Sequence, residues 1–132
     1  MTDASQFKVP GYLRSAHLQT ILNSQGPRKW RARRILRDLE SRALELVAED
    51  GTRLLAELDY GVGPKHSALV VLLHGWEGSS RSSYLVTTAA RLLALGFDVL
   101  RVNLRDHGDS HHLNRELFNS TRSPEVASAL QG

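Results

Sequence analysis

The chain has no cysteine and a single methionine in 132 residues. Without cysteine it has no disulfide framework, no thiolate metal site and no cysteine nucleophile. That suits a reducing compartment, and a cytoplasmic location is expected. The opening Met1-Thr2-Asp3-Ala4-Ser5-Gln6 lacks a basic stretch followed by an apolar run, so no secretory leader is expected. No apolar run approaches the roughly 18 residues that cross a bilayer as a helix. There is no internal repeat and no low-complexity tract. Apolar residues make up 41%, enough for the core of a globular protein. Sheet enzymes of the α/β type commonly need about 200–250 residues, which this chain does not have.

Charge is unevenly placed. The formal net charge is +3, yet residues 1–37 hold eight Lys and Arg against the lone acid Asp3. Residues 38–132 hold nine against thirteen acids. Six of the ten residues from Arg28 to Arg37 are basic, with Trp30 among them. Such a run can bind nucleic acid or an anionic membrane surface, or lie solvated on a larger protein. No nucleic-acid fold motif accompanies it, so a nucleic-acid partner is not favoured.

Residues 1–40 read as an arm. Pro10-Gly11 and Gly26-Pro27 are breakers, and Ser15 to Leu22 between them is a short helix. Leu44, Leu46 and Ala48 then alternate, Asp50-Gly51 supplies a turn, and Leu54, Ala56, Leu58 and Tyr60 alternate again, which predicts an antiparallel hairpin. Gly61-Val62-Gly63-Pro64 forms a loop into Ala68 to Leu73, whose continuous apolar character predicts a strand buried on both faces. Ser82 or Ser83 caps a helix from about Tyr84 to Leu95, with Leu85, Ala89, Leu92 and Leu93 on its apolar face and Gly96 as its stop. Phe97 to Leu104 completes a strand-helix-strand crossover with parallel strands, leaving an open apolar edge beyond Leu104. Ser123-Pro124 opens a last helix with Val126, Ala127 and Leu130 inward.

Ligands of parallel sheets bind beyond the carboxyl ends of the strands, where both unusual loops fall. In His74-Gly75-Trp76-Glu77-Gly78 the two glycines let the backbone turn sharply and expose its N–H groups, as donors to the oxyanion of an attacked ester or as a plain tight turn. The spacing of this loop does not match a phosphate-binding turn: it has neither the Walker lysine nor the three-glycine pattern, and Glu77 within it would repel phosphate. The second loop, Asp106-His107-Gly108-Asp109-Ser110-His111-His112, offers three imidazoles and two carboxylates. A metal-dependent hydrolase using His107, Asp109, His111 and His112 is therefore an alternative, although binuclear hydrolases use a different order, His-x-His-x-Asp-His.

Taken together, Leu72-Leu73-His74-Gly75-Trp76-Glu77-Gly78-Ser79 and Asn103-Leu104-Arg105-Asp106-His107-Gly108-Asp109-Ser110 resemble the N-terminal half of an α/β-hydrolase. His17-Leu18-Gln19-Thr20 and Asn114-Arg115 with Ser120 resemble its YheT-like branch, from which Asn119 departs where the branch has histidine, and Asp106 where glycine is frequent. The resemblance implies an arm at 1–40 and an incomplete α/β-hydrolase domain at 41–132, truncated before the nucleophile elbow. It implies a serine carboxylic-ester hydrolase acting on a small acyl or lipid-like ester, with no metal or organic cofactor. The backbone N–H of Trp76 would then be an oxyanion donor, supported by His74, Gly75, Glu77 and Gly78. No Gly-x-Ser-x-Gly occurs in the chain, so nucleophile, acid and base are all missing. The chain is expected to be inactive alone and able to self-associate through its open sheet edge.

Overall fold

A computed structural model describes residues 8–62, 68–119, 121 and 123–131. Gly63, Pro64 and Ser120, which figured in the sequence reading, lie outside the described residues. Ser15 caps helix α1 (Ala16–Gln25), its side chain accepting from the Leu18 N–H, and the helix runs three residues beyond the expected Leu22. Pro27, pre-set for a first helical turn, opens α2 (Pro27–Asp38). This helix carries the basic run and lies against the later helix α3 (Ser83–Ala94), with Ala32 buried.

The hairpin forms as its alternation requires. Strands β1 (Arg42–Val47) and β2 (Arg53–Asp59) pair antiparallel, from Arg42 opposite Leu58 to Val47 opposite Arg53. Gly51 takes the left-handed turn position at φ 81°, and the Asp50 side chain accepts from the Thr52 N–H. Strand β3 (Leu69–Leu73), helix α3 (Ser83–Ala94) and strand β4 (Asp98–Val102) make the expected parallel crossover. Gly96 at φ 89° ends α3, its N–H donating to the Leu93 carbonyl.

The sheet order is β1-β2-β4-β3. β4 therefore sits inside, paired antiparallel with β2 and parallel with β3. This corrects the expectation of an open edge beyond Leu104: the edge strands are β1 and β3. It also corrects the expectation that β3 is buried on both faces. Leu69, Val71 and Leu73 are 51%, 36% and 47% exposed. They share a face with Leu100 and Val102, but α4 (Ser123–Ala129) packs on β1 and β2 and does not reach them.

Two apolar clusters follow from the alternation of side chains across the sheet. Under α4 lie Ala48, Leu54, Ala56, Leu100 and Val102 with Val126 and Ala129. On the other face Ala89 and Leu93 of α3 meet Val99, with Leu39, Leu72 and Leu92 around them. α4 turns Glu125, Val126 and Ala129 inward rather than Ala127 and Leu130. Glu125 is inside because buried Arg105 pairs with it at 2.8 Å. Among the described residues no helix is long and apolar enough to cross a membrane.

Candidate active site

Because β3 and β4 are parallel neighbours, their carboxyl ends deliver residues 74–82 and 103–112 to one rim of the sheet. His74 joins the two segments. The Leu104 N–H donates to His74 Nε2 at 3.0 Å, so that nitrogen carries no proton. The proton is on Nδ1, which donates to the Gly75 carbonyl at 2.8 Å. Burial pushes the His74 pKa below the ordinary histidine value; the Gly75 carbonyl opposes this, and charge on neighbouring His107 adds to it.

The amide groups of the first loop fall into two sets. Gly75 N–H donates to Tyr84 Oη at 2.7 Å, Gly78 N–H to the Gly75 carbonyl at 3.0 Å, Ser79 N–H to Ser82 Oγ at 2.9 Å and Ser80 N–H to Asn103 Oδ1 at 2.7 Å. Among the described residues, the N–H groups of Trp76 and Glu77 have no acceptor. Glu77 itself takes the left-handed conformation, φ 52°, at a cost of order 1–3 kcal/mol for a residue with a Cβ. The turn expected of two glycines is thus shared differently. A Cβ on Gly78 would lie 2.9 Å from both the Gly75 carbonyl oxygen and His74 Cβ, whereas one on Gly75 would meet only Tyr84 Oη, at 3.7 Å.

Beneath this loop lies an ion network that sequence reasoning missed. Arg101 is 0% exposed in the middle of β4. Its guanidinium donates to Asp59 through Nε at 2.7 Å and Nη2 at 3.2 Å, to Ser41 Oγ at 2.9 Å and to the Ser80 carbonyl at 2.9 Å. Nη1 also lies 2.9 Å from Glu57, the residue facing Arg101 across the sheet. Arg81 completes the network on Glu57 at 2.9 Å, and that hydrogen bond raises its pKa. The pattern Asp98-Val99-Leu100-Arg101-Val102 signals only that Arg101 faces away from Leu100; the paired acids sit on another strand, far along the chain.

The second loop leans on the first. Asn103, which accepts from Ser80, also donates to Ser80 Oγ at 3.1 Å. Gly108, at φ 61°, passes so close to Asn103 that a Cβ would lie 2.8 Å from its Oδ1. The His107 ring stands between His74, with ring centroids 4.8 Å apart, and Phe118, at 4.9 Å edge-on. Phe118 in turn meets the Trp76 ring at 6.4 Å. Trp76, His107 and Phe118, with Asp106, His111 and Leu117, line an open cavity of about 440 Å³ that Glu77 and Gly78 of the first loop also border.

No family model matches the sequence, and no curated protein matches it significantly. Among solved structures, an esterase from Pyrococcus furiosus is similar in two crystal forms. The TM-scores are 0.57 and 0.55, with identities of 22% and 21%. Both alignments cover 71% of this chain, and they cover 35% and 34% of the esterase. This chain shares part of that fold. It spans about a third of the esterase's length.

Within this α/β frame the residues of the expected metal cluster separate. His107 Nδ1 donates to the Arg105 carbonyl at 2.8 Å, and His111 Nδ1 lies 2.7 Å from Asp106. Asp109 points outward, its carboxylate 88% exposed and 4.0 Å from Arg81. His112 is exposed. Among the described residues no three His, Cys, Asp or Glu converge to hold a metal ion. The metal-dependent alternative is not favoured: His107 and His111 border the same cavity, but Asp109 and His112 are turned to solvent. The branch motifs have structural partners as well. Asn114 accepts from the Arg53 N–H at 3.0 Å and donates to its carbonyl at 2.8 Å, and Gln19 donates to the Leu13 carbonyl at 2.6 Å.

Proposed function

We propose that this chain carries the oxyanion-side loop of a serine carboxylic-ester hydrolase of the YheT-like branch, acting on acyl or lipid-like esters. The observation that carries the reading is the pair of free donors, Trp76 and Glu77 N–H, in a loop whose neighbouring amides are satisfied by protein acceptors. Attack on an ester carbonyl moves a negative charge onto its oxygen. Donors already fixed in place stabilise that charge without reorganising, and a single one contributes about 2.7–4 kcal/mol in well-studied cases. His74, Tyr84 and Asn103 hold the loop in position, and the cavity beside Phe118 accepts the acyl chain. The likeness to part of an esterase fold supports the reading, as do Asn114-Arg115 and His17-Leu18-Gln19-Thr20. Neither a metal nor an organic cofactor is needed for this chemistry.

A nucleophile is required as well, and no Gly-x-Ser-x-Gly lies in these 132 residues. Purified chain is therefore expected to bind the carboxylate product of ester hydrolysis without hydrolysing esters. In an amide-resolved NMR titration with octanoate, the Trp76 and Glu77 resonances should shift most among residues 74–80. Unmoved resonances at saturating octanoate would remove the oxyanion role. Turnover of a p-nitrophenyl ester that disappears on mutating a serine of the chain would remove the claim of inactivity.

A further inference from the structure

A second cavity, of about 720 Å³, adjoins the first and shares Trp76, Glu77 and Gly78 with it. Its walls differ in kind. The first is closed by Leu117 and Phe118, while the second is closed by one stripe of α2: Lys29, Ala32, Arg33 and Leu36. That spacing of three, four and seven residues places all four on one side of the helix. Ala32, 3% exposed, seats the helix, and Lys29 and Arg33 stand one turn apart, both exposed to solvent. Neither has an ion-pair partner among the described residues. Like charges one turn apart on a helix repel, and an anion held between them relieves the repulsion. Arg33 adds the planar fork that suits phosphate and carboxylate oxygens. Across the cavity, Arg81 has its charge engaged by Glu57, so Lys29 and Arg33 are the free cations of this wall.

We propose that the two cavities together form a split site for an anionic amphiphile, with the alkyl chain beside Phe118 and a phosphate or carboxylate group at Lys29 and Arg33. Resting on the esterase reading of the loop, this makes the substrate an ester whose acyl part is apolar and whose alcohol part bears an anion. The scissile carbonyl falls at the shared segment, where Trp76 and Glu77 present their amides.

The test is equilibrium binding of octyl phosphate, octyl glucoside and inorganic phosphate to the purified chain, followed by calorimetry below micelle formation. Octyl phosphate should bind at least about tenfold tighter than either of the others, a modest demand for two charge-assisted contacts. In Lys29→Gln/Arg33→Gln the preference for octyl phosphate over the glucoside should shrink to about twofold or less, while Arg31→Gln/Arg34→Gln on the same helix keeps it. Both pairs are exposed, and circular dichroism confirms the fold of each. Equal binding of the two octyl ligands, or equal loss in both variants, would refute the groove, the latter by showing a charge effect of the whole helix. Inorganic phosphate binding as tightly as octyl phosphate would refute the apolar half. Charge preference dependent on Lys29 and Arg33 without any shift of the Trp76 amide would support the amphiphile site while retiring the esterase reading.

Discussion

At the scale of single residues, His74 ties strand end to loop, and its protonation state follows from its neighbours rather than from pH alone. Leu104 N–H needs an acceptor and the Gly75 carbonyl a donor, so only the neutral imidazole with its proton on Nδ1 serves both. The ordinary pKa of 6.5 applies to the unfolded chain, and burial lowers it in the fold. Above pH 6.5 the imidazole is neutral in both states and its contribution is fully present. Below that, the unfolded chain takes up the proton first, so this contribution falls with pH until the folded imidazole titrates too. Urea unfolding from pH 8 to pH 5 should show that decline, and His74→Gln, which keeps an acceptor for Leu104 but does not titrate, should remove its share. His74→Ala leaves the Leu104 amide without its acceptor and should cost about 1–3 kcal/mol at pH 8, and less as the pH falls toward 5. The resemblance singled out His74 and Gly78 from type and spacing, but the partners of the loop, Tyr84, Asn103 and Ser82, were not legible. Their role depends on where a turn places an amide, which residue types do not encode.

At the scale of elements, hairpin and crossover were legible because their signals are local. Asp50-Gly51 bends within two residues, and an apolar strand, an apolar helix face and the Gly96 stop follow in order, although the Ser82 side chain accepts from Ser79 N–H instead of capping the helix. Strand order was not legible, since the apolar run of Leu69 to Leu73 looks the same at an edge as inside. Arg101 shows the same limit: a cation in a strand reads as solvent-facing until the acids opposite it are known. Its burial between Asp59, Glu57 and the Ser80 carbonyl couples the hairpin to the loop that holds Trp76. Removing one partner strands the others, so Arg101→Met should destabilise the fold by about 3–5 kcal/mol, measured by chemical denaturation. Conservative variants of exposed Arg42 should change stability by less than about 0.5 kcal/mol in the same assay.

At the scale of the whole molecule, β3 leaves an apolar face and one of the two sheet edges without a partner among the described residues. Leu69 to Leu73 contains no charge, no proline and no bulge to discourage pairing. The chain should therefore associate as its concentration rises, and Val71→Lys should shift sedimentation profiles toward monomer with little change in melting temperature. Association of Val71→Lys equal to that of the unaltered chain would place the contact elsewhere. The position of β4 carries a different consequence, one of time. β4 can pair with β3 over the shorter span of the crossover, but it joins β2 only across the more than forty residues that separate Ala56 from Val102. Closing that span comes late and slowly, after the hairpin has formed from contacts close in sequence. The crossover thus docks on the hairpin through the β2–β4 pairing, and the sheet is closed last at that seam. In stopped-flow refolding, Leu100→Ala, which weakens the packing at that seam, should slow folding.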